Sequence, residues 1–165
     1  MIQLLPEFRE FLSLLNSNRV RCLLIGGYAV AFHGHPRTTG DLDVWIAADP
    51  ANINGLRRAL LQFGFPESSI PAGVFIEPRT TLRMGFEPHR IEVLKTIAGV
   101  EFEACWARAD KVRLDGVDVR IIGRADLVTN KRAAGRLKDL ADVEALETPK
   151  RKPRRTAARK RRPKR

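Results

Sequence analysis

A short apolar strand ends in a glycine pair and is followed, 13 residues later, by two aspartates separated by one leucine; no other feature of the chain restricts its fold as tightly. Residues 20–25 read V-R-C-L-L-I, rich in strand formers, and stop at Gly26 and Gly27. Residues 28–33 suit a short helix, GHPRTTG reads as a loop, and residues 42–47 alternate as a second strand. In Asp41-Leu42-Asp43 the two-residue period of a strand puts both carboxylates on one face and turns Leu42 to the core. Paired carboxylates in one pocket repel each other. A divalent cation with hard oxygen ligands relieves this, typically magnesium shared with substrate phosphates, and phosphoryl chemistry is the natural use. A third acid is needed to hold two ions roughly 3.5–4 Å apart, and Glu92 in the alternating segment 90–94 supplies it if that strand pairs beside residues 41–43. Gly26 and Gly27, lacking side chains between strand and helix, let phosphates approach backbone N–H groups.

The remaining pattern is that of an α+β domain, a mixed sheet flanked by helices. Leu4, Leu5, Phe8, Phe11, Leu12 and Leu15 follow the three-and-four spacing of a docking helix. A second helix is expected over residues 53–63, closed by Gly64. Segments 73–76, 81–86 and 90–94, broken by Pro78 and Pro88, read as strands. Asp115-Gly116 joins residues 112–114 and 117–122 as a hairpin, and residues 124–146 turn helical with a break near Gly135.

Composition separates two modules. The formal charge of +11 looks like a nucleic-acid signature, yet 11 of the 30 Lys and Arg residues lie in 150–165, leaving 19 cations against 19 acids in the rest. The body, residues 1–148, is of a size for one domain, with 44% hydrophobic residues in the whole chain to build its core. Residues 149–165 hold three prolines and no aliphatic side chain larger than Ala, and are expected to be a disordered Lys/Arg-rich tail. No apolar run approaches the roughly 20 residues of a membrane helix, and Glu7, Arg9 and Glu10 interrupt any secretory leader, so the expected setting is cytoplasmic, with no membrane partner. Two cysteines, Cys22 and Cys105, exclude a disulfide framework or thiolate metal site.

The strand, Gly-Gly, short helix and Asp-x-Asp order resembles the nucleotidyltransferases related to DNA polymerase beta, especially their minimal stand-alone bacterial-type members. The run Arg37-Thr38-Thr39-Gly40-Asp41-Leu42-Asp43 is similar to the Arg-x-Thr-x-Asp-x-Asp form of abortive-infection-type and related uncharacterised branches. The likeness covers about residues 20–146, and Glu92 stands where Asp is common. It implies transfer of a nucleoside monophosphate from a nucleoside triphosphate, ATP foremost, to a hydroxyl acceptor on a tRNA, a protein or a small molecule. It further implies two Mg2+ ions on Asp41, Asp43 and Glu92, nucleotide binding by Gly26, Gly27, Arg37 and Thr39, and a setting in toxin–antitoxin or defence systems.

Lys131 and Lys138 are further candidates for substrate phosphate, against surface solvation, and Arg37 serves equally well as a structural partner of the acids. His33 and His35 lack a third nitrogen or sulfur ligand nearby, and Trp45, Trp106, Phe32, Phe63 and Phe65 read as core. A different class of function competes: a non-catalytic, antitoxin-like or regulatory module that binds RNA or DNA through the tail 150–165. The intact acid pair favours the enzyme. With no evident specificity domain, a homodimer or a small helical partner protein is expected to complete the acceptor pocket.

Overall fold

In the computed structural model, which describes residues 2–148, the amphipathic leading segment forms α1 (Pro6–Ser17) and buries Phe8, Phe11, Leu12 and Leu15. β1 (Cys22–Ile25) runs into α2 (Gly26–Phe32), and β2 (Asp41–Ile46) returns antiparallel to β1 with Ile25 opposite Asp43. α3 (Pro50–Phe63) starts on an Asp49 side chain that accepts from the Asn52 N–H and ends at Gly64 in the left-handed region. β3 (Leu82–Phe86) and β4 (His89–Leu94) form a hairpin whose second strand lies parallel to β2. After α5 (Phe102–Arg108), the hairpin β5 (Asp110–Leu114) and β6 (Val117–Ile121) adds β6 parallel to β1. The six strands run in the order β3-β4-β2-β1-β6-β5.

Side-chain alternation sorts the helices onto two faces. Cys22 and Leu24 share a groove with Leu12 and Asn16 of α1, and Leu82 and Met84 share one with Leu60 of α3, so α1 and α3 cover the face of Leu42, Val44 and Ile46. Those three residues are fully buried, and Phe11 meets Phe63 with ring centroids 5.2 Å apart. The opposite face carries Asp41, Asp43 and Trp45. Phe102 of α5 packs edge-on against Trp45 at 5.1 Å, and α6 (Arg124–Ala134) and α7 (Leu137–Glu147) stand over the acids. The α6–α7 break falls at Gly135, with φ of 68°.

Two sequence expectations are corrected. Residues 73–76 are not a strand but a single helical turn, α4 (Gly73–Ile76), closed by bonds such as Glu77 N–H to the Gly73 carbonyl. Only Val74 in it is buried, and the buried Lys95 ammonium donates to the Gly73 and Val74 carbonyls, so no ladder is left to form there. The early helix begins at Gly26 and not at Tyr28, which brings both glycines into its first turn. The expected disordered tail, residues 149–165, lies outside the described residues. Among the described residues no helix is long and apolar enough to cross a membrane, and both cysteines are free.

Candidate active site

The carboxylates gather where β2 lies between β1 and β4. Parallel register sets Asp41 beside Arg90 and Asp43 beside Glu92, so Glu92 joins the aspartates on one face across a neighbouring strand. Together with Gly26 and residues of α6 and α7 they line an open cleft of about 500 Å³. Gly26 adopts φ of 64°, and a β-carbon there would run into the Asp43 carboxylate; glycine is required both for the backbone and for the approach of the acid. A β-carbon at Gly27 would stand 2.6 Å from the Thr39 hydroxyl oxygen. Thr39 itself donates to the Asp41 carbonyl at 3.2 Å and steadies the turn into β2.

Burial together with the negative charges of Glu92 and Asp41 raises the Asp43 carboxyl to about 6, against a partial relief from Lys138 and Lys131. The other two acids have found cations. Arg90 places Nε and Nη2 on the two Asp41 oxygens at 3.4 and 3.2 Å, and Arg83 Nε donates to Glu92 at 3.0 Å. In this arrangement no group of three His, Cys, Asp or Glu side chains among the described residues is set to hold a metal ion. The donor set nevertheless suits a hard cation, because the three carboxylates share a face and Asp43 forms no ion pair among the described residues.

The remaining candidates fall into two kinds. Lys131 is 5% exposed and held by Asp139 at 3.2 Å and Asp142 at 2.8 Å, and Arg136 Nε closes on Asp139 at 2.6 Å. Its ammonium thus reaches the cleft already paired. Arg37 lies 3.2 Å from Asp142 and ties the loop before β2 to α7. Lys138 lines the cleft, is exposed, and forms no ion pair among the described residues. The histidines do not converge on a metal: His33 Nε2 sits 2.8 Å from the Ile122 carbonyl oxygen. Trp45 is buried, as expected of a core residue, and its indole N–H donates to the Lys95 carbonyl. Sequence reasoning passed over Arg83 and Arg90, both lining the cleft. The Arg90-x-Glu92 alternation placed Arg90 on the face of Glu92, but its pairing with Asp41 spans 49 positions and depends on register.

Comparison with known proteins agrees with this fold. Residues 3–151 match the family described as nucleotidyltransferase of unknown function (DUF6036). The lincosamide antibiotic adenylyltransferase LnuA, in its lincomycin-bound crystal structure, superposes with a TM-score of 0.60 at 15% identity over 88% of this chain and 98% of its own. A Thermotoga maritima protein (TM1012) with a nucleotidyltransferase designation gives 0.50 at 14% identity, over 84% of this chain and 87% of its own. At such identities the likeness establishes the fold. No curated protein matches by sequence.

Proposed function

The chain belongs to the DUF6036 family of nucleotidyltransferases, and on that premise we propose that it moves a nucleoside monophosphate from a nucleoside triphosphate, ATP foremost, to a hydroxyl acceptor in the cleft of Asp41, Asp43 and Glu92. The observation that carries the reading is the convergence of Asp41, Asp43 and Glu92 on one face of the sheet, with Asp43 so close to Gly26 that a β-carbon there would collide with its carboxylate. In the reaction the acceptor oxygen bonds to the α-phosphorus, the α–β bridging bond breaks, pyrophosphate departs and the hydroxyl proton passes to solvent. Asp41, Asp43 and Glu92 would hold two magnesium ions, which would supply polarisation of the acceptor hydroxyl and neutralisation of the departing charge.

The chain's own residues do the positioning. Asp43 and Asp41 fix the reacting end from β2, while Gly26 and Gly27 leave room beside them for the triphosphate. Thr39 holds the β2 turn, and Arg37 anchors the same loop to α7. Lys138, unpaired among the described residues, is the mobile point charge for phosphate, and Lys131 contributes its field from the buried pair. Among tRNA, protein and small-molecule acceptors, the last draws support from the lincosamide adenylyltransferase of similar fold. Nucleic-acid docking through residues 150–165 rests on the tail's charge, and a toxin–antitoxin or defence setting rests on the resemblance of residues 37–43. A homodimer or small helical partner that completes the acceptor pocket belongs to the same reading.

Incubation with each α-labelled nucleoside triphosphate, magnesium and either total tRNA or a cell extract tests the reading. The wild type should transfer label to one acceptor class, and the Asp41→Asn, Asp43→Asn double variant should transfer none. Equal labelling by both proteins sinks the assignment of the site.

A further inference from the structure

Arg83 and Arg90 each sit directly beside a carboxylate of the acidic centre, placed there by register: Arg83 opposite Glu92 across the β3–β4 hairpin, Asp41 beside Arg90 across β2–β4. The guanidinium of Arg90 covers both Asp41 oxygens, and that of Arg83 takes one Glu92 oxygen. A guanidinium and a divalent cation compete for the same carboxylate lone pairs, and each weakens the hold of the other. Metal entry therefore competes with Arg90 for both oxygens of Asp41 and with Arg83 for one oxygen of Glu92.

Both arginines are free to let go. The Arg83 side chain is 64% exposed, and its ion pair with Glu92 is its only one among the described residues. The Arg90 side chain is 30% exposed, and its one other ion pair among the described residues is with Glu87, at 3.6 Å. Lys131 shows the contrast: 7% exposed at its side chain and gripped by two buried aspartates, it is a fixed element of the fold. Once released, the two guanidinium groups still line the cleft, where the polyphosphate of a bound nucleotide would offer them anionic oxygens. Planar forks that match carboxylate oxygens match phosphate oxygens equally well.

We propose that Arg83 and Arg90 form a polyphosphate-binding pair that exchanges partners, serving as counter-ions of Asp41 and Glu92 in the metal-free protein and as ligands of the triphosphate once cations occupy the carboxylates. The proposal rests on the nucleotidyltransferase reading of the cleft. It makes metal and triphosphate binding cooperative, since each removes the competitor of the other. It also keeps the cleft near charge balance when empty.

The test uses the full chain and two probes: Mn2+ alone, followed by the loss of the free-ion spin signal, and inorganic tripolyphosphate in saturating Mn2+, followed by calorimetry. Arg83→Gln and Arg90→Gln should each bind Mn2+ alone about threefold more tightly than wild type, because a competing partly exposed ion pair is gone. Each should bind tripolyphosphate about tenfold more weakly, the usual loss of one charge-assisted contact. Opposite signs for the two probes are the signature; an arginine that merely supports the fold would weaken both or leave both unchanged, and either result overturns the proposal. Arg83→Gln alters an exposed side chain and serves even if Arg90→Gln fails to fold, with Arg90→Lys, which keeps the charge but loses the fork, as the second variant at that position. A wild type that binds neither probe refutes the nucleotidyltransferase reading itself, whereas a wild type that binds both while the variants show no split refutes only the exchange.

Discussion

Asp43 gives the most direct physical handle on the cleft. Its carboxyl is raised to about 6 from an ordinary 3.8 by burial and by the charges of Glu92 and Asp41. A rise of roughly two units corresponds to about 3 kcal/mol of cost for the ionised form. Because the folded value lies above the unfolded one, the stabilisation by protonated Asp43 is fully present below about pH 4 and is lost as the pH rises through about 6. Asp43→Asn replaces the carboxyl with a neutral group of the same shape. In metal-free buffer at pH 8 the variant should therefore be more stable than wild type by up to about 3 kcal/mol, or about 2 kcal/mol if the amide leaves one hydrogen bond unmade. For a domain of this size that is a rise in Tm of about 4–12 °C. Calorimetry in chelator at pH 8, 6 and 4 should show the advantage shrinking as the pH falls, and magnesium should raise the Tm of the wild type alone. A variant less stable than wild type at pH 8, or an advantage that grows toward pH 4, would refute the reasoning, since either result means that Asp43 is not held against its charge.

Other perturbations separate the parts of the site. Gly26→Ala combines a left-handed backbone with a collision against Asp43; urea denaturation should show a loss of about 2 kcal/mol or more, and Mn2+ binding should fall with it. Lys131→Met leaves Asp139 and Asp142 buried without their shared cation and should cost about 3–5 kcal/mol in the same assay. Lys138→Ala, at an exposed position with no ion pair among the described residues, should change stability by less than about 0.5 kcal/mol while weakening ATP binding in calorimetry.

Much of this cleft was legible because its first half is local. Periodicity fixes α1, β1 and β2, and the two-residue alternation of a strand suffices to put Asp41 and Asp43 on one face with Leu42 fully buried behind them. Glu92 was legible only conditionally, since its place depends on β4 pairing with β2, a contact 49 positions away that no local pattern encodes. The turn at residues 73–76 misleads for a related reason: four apolar-looking residues fit a strand or a helical turn, and the buried Lys95 ammonium, 21 positions from Val74, decides between them. Arg83 and Arg90 were illegible on the same account, and their absence changes the inferred chemistry. The acids alone describe a strongly negative pocket that only metal could neutralise. The folded cleft instead places four acids, Asp41, Asp43, Glu92 and Asp139, against five cations, Arg83, Arg90, Lys131, Arg136 and Lys138. Its charge is near balance when empty, so each divalent ion that enters tips it positive, and a polyanion is the ligand that restores the balance. On the proposed reading, such a site takes metal and triphosphate together and holds neither firmly alone.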